Sequence, residues 1–451
     1  MFPNPQDALP LPLRPSLERY KKLAKELVKA CKSGDETAIT DWARAWIESL
    51  VKLAGLEITP QLPVHVGRWT NDVARFARRK LLEGDPAGRE CALANAQFVI
   101  ARSQGFESWP KFSKHLEALA RKSSPVSKFE AAADAIIIGD VTTLKRLLRE
   151  DPKLVRATST REHGATLLHY VSANGVEGYR QKTPKNIVVI AKLLLNAGAE
   201  VDAPADVYAG GCTTLELAAT SVHPEHAGVQ EALLELLLDH GAQLEQPSIA
   251  DHGQSIVISC IVNGRPKAAE FLVRRGARIE LAGAAAIGRL DVVKSYFNED
   301  GSLKPNATKE QLQEGFRYAC GYGRNNVVEF LLEKDKNVDL AEHCGDGQTG
   351  LHWATIGGHL DTVKLLLRHN PPLEAKNMYG GTVLGQTLWS AAHGGDPDVY
   401  IAILEVLQAA GAKMPELHVP VNARVDAWLE QHDSRAEPSW HWFGEGPAGG
   451  R

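Results

Sequence analysis

"GDGQTGLHWATIGGHLDTVKLLLRHN", residues 345–370, reads as two short helices joined by a tight turn. Leu351 and Ala354 share one helical face, a glycine turn follows at Gly357–Gly358, and a second helix carries Val363, Leu366 and Leu367. Neither helix is long enough to stand alone in water. Each must bury its apolar side against a neighbour, so the unit makes sense only as a member of a stack.

The same pattern returns along the chain. "TLLHYVS" pairs with "IAKLLLNAGAEVDA", "TTLELAA" with "ALLELLLDHGAQLE", and "SIVISCIVNG" with "AAEFLVRRGARIE". Looser copies are "FEAAADAIIIGDVTTLKRLLRE", "GAAAIGRLDVVKSYF", "FRYACGYGRNNVVEFLLEKDKNVDL" and "GQTLWSAAHGG" with "LEVLQAAGAK". Gly198, Gly241, Gly276 and Gly411 follow second helices, where a left-handed residue ends a helix. The spacing predicts about eight units of roughly 31 residues between 127 and 415.

On these residues the sequence resembles the ankyrin-repeat superfamily. The 345–370 unit carries the resemblance best, through Thr349, Leu351, His352, Ala354, Gly357, His359 and the leucines of 365–367. It departs at Gly350, where the family has proline, and at Asn370, where a helix-ending glycine is expected. The resemblance implies an all-α ankyrin-repeat solenoid that works as a protein-binding scaffold. It also implies that His169 and His352 brace backbone beside their threonines rather than act as ligands.

Residues 15–122 are helical by pattern, with Ser108 as N-cap before Trp109 and Pro110. They are expected to form an N-terminal cap over the first repeat, with Trp42, Trp46 and Trp109 in its core. Within it, "ALANAQFVIARSQGFESWPKFSKHLEAL" looks like a module placed before repeats in bacterial ankyrin-type proteins. Residues 1–14 are expected to be flexible. Residues 416–451 form a tail with a helix near 427–431 and an aromatic cluster at Trp440, His441, Trp442 and Phe443.

Hydrophobic content of 44%, charged content of 24% and a net charge of -4 are those of an ordinary soluble protein. Residues 1–126 hold 20 Lys and Arg against 14 Asp and Glu, but no basic stripe interleaved with aromatics points to nucleic acid. No apolar run approaches membrane-spanning length. The six cysteines form no CxxC pair, so free buried thiols and a cytoplasmic location are expected.

Register exposes the insertions. Thr349 to Leu365 is 16 residues, as is Ser255 to Phe271, whereas Thr166 to Leu193 is 27 and Thr213 to Leu236 is 23. Eleven and seven residues are therefore extra, in consecutive units, which should set the two loops side by side. Thr387 to Val406, at 19, implies three more. The two large insertions concentrate recognition chemistry rather than filler. The candidate binding residues are Asn174, Glu177, Tyr179, Arg180, Gln181, Asp206, Tyr208, Thr220, His223 and His226.

The leading reading is a non-catalytic scaffold that binds a protein or peptide through these loops, with Tyr179 and Arg180 as anchors. An alternative is an enzyme or small-anion site in which Arg180 clamps an anion beside Glu177 and His223 serves as acid or base. A metal site through His223 and His226 is a weaker alternative, because proline after His223 suggests a turn and two histidines fall short of four ligands. No HExxH, GxSxG, Walker or dinucleotide motif is present, and no cofactor is expected.

Overall fold

Small polar residues start most of the helices, and left-handed residues end many of them. Thr213, Thr308 and Thr349 each close a reciprocal capping box, and Ser108, Ser124 and Ser255 accept a backbone N–H three residues on. Gly198, Gly241, Gly276 and Gly411 all stand at φ between 89° and 98°. Asn370, in the expected glycine position, adopts φ 52°, a conformation asparagine tolerates better than other residues with a β-carbon.

The computed structural model describes residues 4–12, 14–54, 62–83, 91–208, 210–245, 255–334, 338–343, 345–415 and 421–432. Trp440, His441, Trp442 and Phe443 lie outside them. Two units divide the chain at 254/255. In the first, Leu17–Lys32, Ala38–Ala54, Leu62–Leu82, Leu93–Ser103 and Trp109–Leu119 enclose a core that contains Trp42, Trp46, Phe106 and Phe112, with Trp109 packed against it. Three helical pairs follow. The first is Pro125–Ile138 with Val141–Glu150, and the third is Thr214–Thr220 with Gln230–Asp239. In the pair between them, the opening helix shrinks to a 3₁₀ turn at His169–Ser172 before Ile187–Asn196.

In the second unit the first helices of successive pairs stack in chain order: Ile256–Val262, Leu281–Ala286, Lys309–Gly321, Gly350–Ile356 and Val383–Ala392. Ala423–His432 then packs on Pro397–Ala409 and buries Val425, Trp428 and Leu429. That apolar stripe covers the last pair, as an end-cap of a stack must. The fold is all-α with ankyrin-repeat-like helix stacking and an additional helical region before it.

The structure departs from the sequence reading at four places. Cys31 and Cys91 form a disulfide, while Cys212, Cys260 and Cys320 are buried thiols. Packing of Leu17–Lys32 on Leu93–Ser103 brings the pair together, and a separation of 60 residues gives no hint of it. Residues 4–12 are packed rather than loose: Ala8 and Leu9 are buried, and Leu9 N–H donates to the Ser103 carbonyl at 2.8 Å. The last pair begins at Thr382, whose hydroxyl caps Val383–Ala392, so Thr387 lies inside that helix and the interval to Val406 is 24 residues, eight more than in the 345–370 unit rather than three. Finally, "VHPEH" is a short helix, Val222–His226, in which Pro224 occupies the first turn, where no backbone donor is needed.

Candidate functional site

The two insertions lie edge to edge, and Asn174 is the node between them. Its amide donates to the Leu217 carbonyl at 3.2 Å and the Thr220 hydroxyl at 3.1 Å, while its Oδ1 accepts from the Tyr208 hydroxyl at 2.6 Å. Behind it, Ser221 Oγ donates to the Ala173 carbonyl, and the buried Gln230 amide donates to the carbonyls of Ala218, Ala219 and Ser221. Gly175, at φ 67°, allows this approach, because a β-carbon there would stand 3.0 Å from Leu217 and Val207.

Composition suggested that the first insertion faces a ligand. Glu177 and Arg180 instead point inward, Tyr179 is half-buried, and Lys182 and Lys185 are exposed. Glu177 is 0% exposed and Arg180 4%. Arg180 reaches Glu130 Oε2 at 2.8 Å, Asp134 Oδ1 at 2.7 Å and Glu177 Oε1 at 3.4 Å. Arg161, equally buried, reaches Glu130 Oε1 at 2.6 Å and Glu177 Oε1 at 2.9 Å. The Tyr179 ring lies beside the Arg180 guanidinium, and the Tyr179 hydroxyl is 3.5 Å from Arg161. The anion clamp expected of Arg180 is thus filled by the protein's own carboxylates. Arg180 is therefore occupied within the fold rather than free to anchor a partner, whereas Tyr179 is half-buried.

Burial alone would raise the Glu177 carboxyl, but Arg161 and then Arg180 outweigh it and hold the group well below the usual carboxylate range. Glu130 behaves the same way and falls to about 2. Nδ1 of His163 accepts from the Ala165 N–H, which puts the proton of the neutral ring on Nε2, 3.5 Å from Glu177 Oε1. A second buried histidine, His115, meets the Thr160 hydroxyl at 2.7 Å, and burial drops it to about 4. His169 also falls to about 4 through burial, and its Nδ1 meets the Thr166 hydroxyl at 2.8 Å. His352 repeats that contact with Thr349 at 2.9 Å, so both rings brace their threonines.

These shifts fix a pH dependence. His115 and His169 are neutral in the fold but would charge below about 6.5 when unfolded, so stability falls as pH drops from 6.5 towards 4. Glu130 and Glu177 are depressed, so their contribution is present above their ordinary value of 4.5 and is lost as pH falls below it. Each group adds a slope of up to about 1.4 kcal/mol per pH unit within its window. Urea midpoints measured from pH 7 to pH 3 should fall throughout and most steeply near pH 4. A flat profile would contradict the assignment.

The residues left facing outward are fewer. Tyr208 is 47% exposed and holds φ 51°, a strained conformation for an aromatic residue. Gln181 is half-buried, with its amide on the Val176 carbonyl. Asp206 is exposed beside Tyr208, and Thr220 is half-buried beside Asn174. His223 and His226 share the Val222–His226 helix, and His223 is lowered by burial and then by His226, with no contribution from Glu177 or Arg180. Of the trio Glu177, Arg180 and His223, the first two pair at 3.4 Å inside the buried cluster, and His223 is half-buried on the Val222–His226 helix. Among the described residues, no group of three or more His, Cys, Asp or Glu is placed to hold a metal ion. Glu130, Asp134 and Arg161, which complete the buried cluster, were not among the sequence candidates. Glu130 could have been found, since a carboxylate set in the apolar run "FEAAADAIII" needs a cation.

Stacked helical pairs joined by tight turns, with threonine caps and left-handed glycines, define a repeat protein of the ankyrin type. Residues 281–377 and 316–411 match the family of ankyrin repeats in three copies. Residues 281–411 are accordingly similar to ankyrin repeats. The chain is 36% identical over 96 residues to SMC5-SMC6 complex localization factor protein 1 of Bos taurus, covering 21% of this chain and 9% of that protein. It is 26% identical over 188 residues to the E3 ubiquitin-protein ligase XBAT33 of Arabidopsis thaliana, 39% of this chain and 36% of that protein. The Notch-regulated ankyrin repeat-containing protein of Homo sapiens is 29% identical over 100 residues, 21% of this chain and 81% of that protein. The chain thus spans about a third or less of the first two of these relatives. No helix among the described residues is long and apolar enough to cross a membrane.

Proposed function

We propose that this protein is a non-catalytic scaffold that holds a protein or peptide partner, and that the outer edge of the two joined insertions takes part in the hold. The observation that carries the reading is the Asn174 node. Two insertions from consecutive repeats are locked to each other and to the interior, and Tyr208 is presented outward at a backbone conformation that costs energy. Rigid loops with an exposed aromatic are suited to recognition, because little ordering remains to oppose binding. Gln181, Asp206, Thr220, His223 and His226 surround that edge in our reading, while Glu177, Tyr179 and Arg180 support it from within.

The match of residues 281–411 to ankyrin repeats supports a binding role for the stack. Arg180 already meets three carboxylates, which argues against the small-anion alternative. We also read residues 92–119 as the bacterial-type module suggested by their sequence, although the matched relatives are animal and plant proteins and lend that origin no weight. Affinity recovery of partners from the native source, with wild type and with Tyr208→Ala, tests the proposal. A specific partner should be retained by wild type and reduced about tenfold by Tyr208→Ala. Equal recovery, with unchanged thermal stability, would place recognition elsewhere.

A further inference from the structure

The helical region before the repeats carries a surface that a mere cap does not need. On Leu17–Lys32 and Ala38–Ala54, residues spaced three and four apart form two facing ridges with a groove of about 290 Å³ between them. Leu23, Trp42, Trp46, Leu50 and Leu53 line its floor. Trp42 and Trp46 pack together at 5.3 Å, and the Trp42 indole donates to the Leu23 carbonyl at 3.2 Å, so the floor is fixed in shape. Leu23 and Leu53 are only half-buried, and Ala45 on the wall is exposed.

Three properties decide what fits. The volume lies at or below the roughly 300–1,000 Å³ of small-molecule pockets, so the groove accommodates a few anchoring side chains rather than a whole ligand. Both walls are helices with a repeat of three to four residues over two or more turns, which matches the ridge of a third helix. The charge is one-sided. Leu17–Lys32 bears Arg19, Lys21, Lys22, Lys25, Lys29 and Lys32 against Glu18 and Glu26, whereas Ala38–Ala54 is balanced. Of these, Arg19, Lys22 and Glu26 line the groove, where Arg19 donates to Ser49 at 3.0 Å and Lys22 lies 3.7 Å from Glu26, so the groove wall itself carries two cations and one anion. Single-stranded nucleic acid would need open ring faces for stacking, and Trp42 and Trp46 are only 8% and 5% exposed.

We propose that this groove docks an acidic amphipathic helix of a partner protein, with its leucine or aromatic anchors over the half-buried Leu23 and Leu53 and its carboxylates along the Arg19 and Lys22 side. The site is independent of the insertion edge in the repeats. Two features of the occupant follow from the geometry: apolar residues at i, i+3, i+4 and i+7, and flanking Glu or Asp on one side.

The test uses the full chain and a labelled synthetic helix of about 18 residues with that leucine spacing and glutamate flanks, read by fluorescence anisotropy. Saturable binding is expected. It should weaken about tenfold for a peptide with lysine flanks, and several-fold for Lys22→Glu. Ala45→Arg fills the groove from an exposed position and should weaken binding about tenfold while circular dichroism and thermal midpoint stay at wild-type values. Absence of saturable binding at millimolar peptide would overturn the proposal. So would equal affinity for the lysine-flanked peptide, for a single-stranded oligonucleotide, or in Ala45→Arg. A fold lost in Ala45→Arg would leave the flank comparison and Lys22→Glu to decide.

Discussion

Glu177→Gln is expected to destabilise the first unit by about 3–5 kcal/mol, because it removes one anion from a buried cluster and leaves two guanidinium groups short of a partner. The four most buried members, Glu130, Arg161, Glu177 and Arg180, balance to zero charge, and Asp134 adds an anion at the edge. Arg161→Ala should cost a similar amount, since Glu130 and Glu177 both depend on it. The double replacement Arg161→Met with Glu177→Leu should recover much of the loss, as apolar side chains of similar size do not require the desolvation of a charge. Urea unfolding followed by circular dichroism separates these outcomes. A loss below about 1 kcal/mol for Glu177→Gln would mean that the cluster is effectively solvated.

The second large effect belongs to the second unit. Gly347 stands at φ 76°, and a β-carbon on it would meet Asn377 Cα at 2.8 Å and Met378 N at 2.9 Å. Those are backbone atoms of the neighbouring finger, held in place by the Met378 N–H donating to the Asp346 carbonyl at 2.8 Å. Nothing at that contact can swing aside. Gly347→Ala should therefore cost about 2–5 kcal/mol, the sum of left-handed strain and overpacking. Gly380 provides the control. It has φ 80° with nothing within 4 Å of its would-be β-carbon, so Gly380→Ala should cost only about 1–2 kcal/mol. Similar thermal midpoints for the two variants would show that the fingers separate freely.

The stack was legible because it rests on local rules. Periodicity marks the helices, threonine and serine hydroxyls mark their starts, and glycines or Asn370 mark their ends. Where two threonines stand five residues apart, as Thr382 and Thr387 do, local pattern does not distinguish the helix cap from a residue inside the helix. The insertions were legible as extra residues, and their adjacency follows from their being in consecutive repeats. Their orientation was not. Glu177 and Arg180 carry the same chemistry whether they face solvent or the interior. The difference lies in Glu130, 47 residues before Glu177, and in Arg161, 16 before it. Such long-range pairings leave no periodic trace. The Cys31–Cys91 bond was hidden for the same reason.

The first residues of the chain close over the insertion. Leu9 is anchored on Ser103, and the Gln6 carbonyl lies where a β-carbon on Gly178 would meet it at 2.7 Å. During synthesis the chain emerges from its beginning, so residue 6 waits for more than 170 further residues before its final surface exists. At about 5–20 residues per second that delay is on the order of ten to thirty seconds. Leu9 finds its acceptor sooner, once Ser103 has been made, so the two ends of this short segment are secured at different times. The contact between residue 6 and Gly178 therefore closes late, after the helices that hold Leu9 have packed.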